Sequence, residues 1–170
     1  MLVGAAGSGK TTLARRLFEP DEILSSDELR GAIRGNPTDQ SVTRVAFGIL
    51  HRELLRRLAL GRLVVVDATN LTPGSRAAIL RRAALFRAPS IAIVLVPPAE
   101  TVHARNAARA TGVVPPEVVD RQLAAAAGLG VHAAEIAARL VAEGFAAAHV
   151  LSTNSEVAAM EIVRERIVRE

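Results

Sequence analysis

"GAAGSGKT", residues 4–11, is the stretch on which the fold turns. Gly4, Ala5, Ala6, Gly7, Ser8, Gly9, Lys10 and Thr11 match G-x-x-x-x-G-K-[ST] in full. The apolar "MLV" before it reads as the stub of a strand, and residues 10–18 after it read as a helix. In that setting glycines let the backbone turn tightly and aim N–H groups at phosphate oxygens, while the helix N-terminus adds positive potential. Lys10 is the only lysine in the chain; every other basic position is arginine. A compact ammonium on a flexible stem can follow the β- and γ-phosphates, where a planar guanidinium is geometrically committed. Thr11 offers a hydroxyl to Mg²⁺, and Thr12 belongs to the same nucleotide-binding set. Only three residues precede Gly4. Central strands are usually longer than that. The first strand is therefore expected to be short, or the chain to be cut from a longer natural protein.

With 170 residues, half of them apolar, the chain can build one compact core. Its sequence offers no apolar run long enough to span a bilayer and no leader-like N-terminus, so a soluble, cytoplasmic protein without membrane contact is expected. Cysteine is absent, which excludes disulfides and thiolate metal sites. The net charge of +4 suits an anionic substrate, although an arginine-rich composition would produce it equally. Trp and Tyr are absent and Phe occurs four times, which argues against a surface of several base-stacking platforms.

Outward from the loop, apolar runs alternate with helical patterns. Residues 22–26, 63–70, 90–97 and 147–152 read as strands; residues 39–61, 131–143 and 155–169 read as helices, with another opening near Pro73. Continuous apolar runs suit parallel strands covered on both faces. The expectation is one α/β domain over residues 1–170. It is a P-loop, doubly wound, mostly parallel five-stranded sheet with helices on both faces and a helical lid over roughly 103–122. Ligands in such sheets lie at the carboxyl ends of the strands.

Two stretches fall at such ends, and a third lies on the helix that follows the fourth strand. "ILSSDELRG" places Asp27 just after the second strand, where a carboxylate can take the proton of a hydroxyl attacking a γ-phosphate. Arg30 follows one helical turn later and can hold a phosphate of the acceptor. A simpler role is open as well: Ser26 or Asp27 could cap a helix beginning at Glu28. "VVVDATN" puts Asp67 where a carboxylate supports Mg²⁺ directly or through water, with Thr69 and Asn70 lining the acceptor side. "RNAAR" sets Arg105 and Arg109 on one helix face, as lid arginines over the transferring group or as a solvated basic face. The four histidines have no metal-ligand spacing.

Taken together, "GAAGSGKTT", "LSSDELRG", "DQSVTRVAFGILH", "VVVDATN" and "RNAAR…VPPEVV" resemble the 5′-OH polynucleotide kinase family, most closely the kinase module of bacterial end-healing proteins. The likeness runs over roughly residues 1–125 and more loosely over 143–157. It implies transfer of the γ-phosphate of ATP or another NTP to the 5′-OH end of RNA or DNA, with Mg²⁺. It implies Asp27 as general base, Arg30 on the neighbouring phosphate, Lys10 and Thr11 in the P-loop roles and Arg105 on the donor phosphates. Gln40 and Val42 would face the 5′ nucleoside, and Thr153 and Asn154 would border the donor base. Phosphatase or ligase modules, in the same chain or in trans, are the partners it implies. The sequence departs from the family at Gly112, where a further lid arginine often stands, and at "AAAAGLGVHAAE", residues 124–135. A P-loop kinase of a small hydroxyl-bearing metabolite or antibiotic shares the same logic. A nucleotide-switched binding module would need Asp27 only as a cap.

Overall fold

A computed structural model describes residues 1–34 and 42–152. Within them lie five strands, β1 (Leu2–Val3), β2 (Ile23–Ser25), β3 (Val65–Asp67), β4 (Ile91–Leu95) and β5 (Ala147–Leu151). All pair in parallel, in two ladders: β1-β4-β5 and β2-β3. The single five-stranded ladder expected from sequence is thus interrupted between β3 and β1. Its seam is closed by Gly4 N donating to Thr69 O at 3.0 Å and by Asn70 Nδ2 donating to Leu2 O at 2.8 Å. On that side the Leu2 carbonyl is taken by the Asn70 side chain, whereas on the other side both β1 residues pair with β4.

The β4 strand shows how the sheet is covered. Ile93 and Leu95 face one way, where α1 (Lys10–Leu17) brings Leu13, Ala14 and Leu17. Ala92 and Val94 face the other, where α7 (Ala133–Ala142) brings Ile136 and Leu140, with Phe145 just after it. This is the period-two alternation of a strand buried on both faces. Over β2 and β3, α2 (Ser26–Arg34), α3 (Thr43–Ala59) and α4 (Pro73–Ala84) close a third cluster through Leu24, Leu50, Leu54, Val66 and Ile79. The helix expected over 39–61 is observed from Thr43 onward. That expected over 155–169 lies outside the described residues.

The expected lid is a helix pair, α5 (Ala99–Ala107) and α6 (Pro116–Ala127). Pro116 opens α6 at a position where its missing N–H costs nothing. His103 Nε2 and Asp120 Oδ1 pair across the two helices at 3.0 Å. Residues 124–135, which fit no motif, end α6 and begin α7; Leu129 enters the core and Glu135 accepts from Val131 N at 2.9 Å. Among the described residues, no helix is long and apolar enough to cross a membrane.

Candidate nucleotide and acceptor site

The loop between β1 and α1 carries the site. Gly7 has φ +88, a left-handed conformation in which any side chain would press into the Val102 carbonyl of α5. Gly9 then caps α1, so the first amides of that helix open toward a cavity of about 760 Å³. Gly9, Lys10, Thr11 and Thr12 line it on one side; Arg105, Arg109 and Ser152 line it on the other. Those elements bring the expected phosphate cradle and the expected lid arginines together.

Lys10 is buried, and its Nζ donates to Ala5 O at 2.7 Å. Burial pushes its pKa down to about 8; the nearby Asp67 and Asp27 carboxylates pull it up, and Arg109 pushes it further down. Thr11 Oγ1 donates to Asp67 Oδ2 at 2.7 Å, although 56 residues separate them. Burial raises the Asp67 carboxyl above its usual range, opposed by the Thr11 hydroxyl and the Lys10 ammonium. A hydroxyl and a carboxylate side by side at the cradle are hard oxygen donors of the kind Mg²⁺ takes, and they fit the ion. No group of three or more acidic, His or Cys side chains with metal-site geometry occurs among the described residues. An ion held here draws its other ligands from phosphates and water.

On the acceptor side, α2 begins two residues earlier than the sequence suggested. Its cap is Ser25, whose Oγ accepts from Glu28 N at 3.4 Å. Asp27 is therefore in the first turn and is not consumed as a cap. Its carboxylate pairs with Arg30 and accepts from Ser26 Oγ at 3.3 Å. Arg30 is nearly buried, whereas half of the Asp27 side chain is open to solvent (11% and 49% exposed). The guanidinium thus anchors a carboxylate that faces outward, within electrostatic reach of Lys10 and Asp67.

Two expected acceptor residues are placed otherwise. Asn70, at φ 49, is buried with its amide in the β1–β3 seam. Val42 is buried at the start of α3. Thr69 remains half-exposed, with its carbonyl on Gly4 N. Gln40, Thr153 and Asn154 lie outside the described residues. At the lid, Gly112 has φ +73 and its carbonyl accepts from Arg109 Nη1 at 3.1 Å, which steers that guanidinium. Arg121 does not line the cavity.

Three contributors escaped the sequence reading. Arg16 lines the donor cavity; it stands four residues after Thr12 on the same helix face, which is the signal that would have found it. Gln122 Oε1 accepts from Ala6 N at 2.7 Å, a contact across 116 residues with no local signature. Arg76 is fully buried, donates to the Asn70 and Leu71 carbonyls, and makes two 2.6 Å bonds to Glu143.

A family model described as an AAA domain matches residues 1–129. The chain belongs to that family. Its P-loop, parallel sheet and flanking helices are those of the P-loop kinase fold. No curated protein matches the sequence. Among solved structures, 19 chains match. One is a gluconokinase from Sinorhizobium meliloti 1021, similar with a TM-score of 0.61 at 16% identity over 99% of this chain and 90% of that one. At that identity the likeness speaks for the fold.

Proposed function

We propose that this P-loop kinase-like protein is a polynucleotide 5′-hydroxyl kinase, moving the γ-phosphate of ATP or another NTP to the 5′-OH end of RNA or DNA. The observation that carries the reading is the Asp27–Arg30 pair, an outward carboxylate on a nearly buried guanidinium at the acceptor edge of the cradle. The pair fills the D-x-x-R spacing of the "SSDELR" stretch that resembles the kinase family.

In the reaction, the 5′ oxygen attacks the γ-phosphorus in line while the bond to the β–γ bridging oxygen breaks. The nucleoside diphosphate leaves with the electron pair, and the hydroxyl proton passes to Asp27. Arg30 holds the phosphate next to the terminal nucleoside. Lys10, seated by its bond to Ala5 O, turns its remaining N–H donors to the β- and γ-phosphates, and Arg105 and Arg109 neutralise charge that builds on the transferring group. Thr11 and Asp67 would hold Mg²⁺, which when bound supplies charge neutralisation at the β- and γ-oxygens.

The test is γ-labelled ATP with Mg²⁺ and an oligonucleotide bearing a 5′-OH, beside one bearing a 5′-phosphate. Label only on the first, lost in Asp27→Ala, is the expected result; no label on either overturns the reading. The gluconokinase likeness over nearly the full length favours one other acceptor class, a small hydroxyl compound such as a sugar acid. Label on gluconate with none on the oligonucleotide would decide for it.

A further inference from the structure

The Ala5–Ala6 peptide is held at both ends of its plane. Its carbonyl accepts from Lys10 Nζ at 2.7 Å and from Ser8 N at 3.1 Å. Its N–H donates to Gln122 Oε1 at 2.7 Å. A rotation of this peptide would swing the carbonyl away from Lys10 and the amide away from Gln122 in one movement, because both belong to the same rigid plane. Glycines flank the segment at Gly4 and Gly7, so its neighbours offer little resistance to such a rotation. The Ala5 methyl group adds only a small contact, to Val102 and Val119.

Gln122 does not move independently of the lid. It is on α6, which Asp120 ties to His103 of α5 at 3.0 Å. Asn106 of α5 clasps the connecting segment through both Val114 N (3.1 Å) and Val114 O (2.7 Å). The same α5 carries Arg105, while Arg109 follows directly after it. The helix pair that presents arginines to the donor phosphates therefore also grips the loop beneath them.

We infer that Gln122 is a positioning residue: it locks the Ala5–Ala6 peptide in the orientation that seats Lys10, and so couples the α5–α6 lid to the phosphate cradle. It touches neither donor nor acceptor. Its effect reaches the donor through the loop, and it holds for any acceptor, polynucleotide or small molecule.

Gln122→Met tests this, since methionine matches the length and flexibility of the side chain without its acceptor oxygen. Thermal melting first sets a temperature at which wild type and variant are both fully folded. Titration with Mg²⁺–ATP at that temperature is expected to show about a tenfold rise in Kd, the scale of one hydrogen bond's preorganisation. The melting-temperature increment conferred by saturating Mg²⁺–ATP should shrink with it, while the KM of the acceptor stays unchanged. A folded variant that binds ATP as well as wild type or better overturns the assignment. So does a variant whose only change is a lower melting temperature with an undiminished ATP increment, since that is the signature of a packing role alone.

Discussion

Thr11 Oγ1 and Asp67 Oδ2 meet at 2.7 Å, joining the end of the phosphate-binding loop to the end of β3. The bond places a hydroxyl and a carboxylate on the same side of the cradle, and it offsets part of what burying that carboxylate costs in the free protein. Burial raises the Asp67 carboxyl, so its ionised form is less favourable folded than unfolded, and ionisation erodes stability as pH rises above the carboxyl's ordinary value of 3.8. Asp67→Asn keeps an acceptor for Thr11 and removes the charge. Its ligand-free melting temperature at pH 7 is expected at or above wild type, while phosphoryl transfer falls by on the order of 10²-fold or more. A melting curve and a labelled-transfer assay on the same preparation check both halves.

Asp27→Asn isolates the proton-accepting role. The cap of α2 is Ser25 and the Arg30 contact keeps a polar partner, so the fold should hold. Transfer is expected to drop by about 10²–10⁴-fold. ATP affinity should stay within about threefold, because no ground-state donor contact is removed. An unchanged turnover rate would return Asp27 to a purely local role.

Lys10 predicts two opposite pH trends. In the ligand-free protein its pKa is about 8, against 10.5 unfolded. Between those values the unfolded chain holds a proton that the folded chain does not, so stability should rise with pH across that window. Lys10→Met should remove that rise in a pH series of melting curves. ATP affinity should do the reverse, weakening above pH 8 as the free enzyme loses the ammonium. Calorimetry in two buffers of different ionisation enthalpy should then detect proton uptake on binding at pH 8.5 or above, and its absence would contradict the assignment.

Arg76 is the fully buried side chain that ties α4, the Asn70–Leu71 carbonyls and Glu143 together. Arg76→Met leaves Glu143 and two carbonyls without their donor and is expected to cost about 3–5 kcal/mol by chemical denaturation. Glu143 is held below its usual range, chiefly by the Arg76 hydrogen bonds. Its contribution is therefore present above its unfolded value of 4.5 and is lost as pH falls through the lowered folded value. Pairing Arg76→Met with Glu143→Leu should recover part of the loss. Strict additivity of the two would argue that the ion pair is not the unit.

Gly7→Ala should abolish ATP binding outright. The added methyl group has no room against Val102 O, and φ +88 is unfavourable for any L side chain. Retained ATP affinity in Gly7→Ala, read by the same titration, would show that the loop can reshape without loss.

The P-loop, the strand runs, the placement of Asp27 and Asp67 at strand ends and that of Arg105 on the helix after the fourth strand were legible from the sequence because each is a local matter. A glycine pattern, an apolar run or a residue just after a strand is written in consecutive letters. Helix periodicity likewise marked α1, α3 and α7 to within a few residues. The first turn of α2 was misread by two residues because Ser25, Ser26 and Asp27 all offer cap oxygens, and only the folded backbone selects among them. Asn70 looked like an acceptor contact because its letter names a polar side chain; in the fold its amide instead donates to Leu2 O across the seam between β3 and β1. The Ala6–Gln122 and Arg76–Glu143 contacts span 116 and 67 residues. Hydrogen bonds of that separation depend on how α6 and α7 pack over the sheet. Local sequence determined which polar and basic groups stand near the loop, and tertiary packing decided which of them line the cavity and which bond to the loop, because both depend on how distant helices meet the sheet.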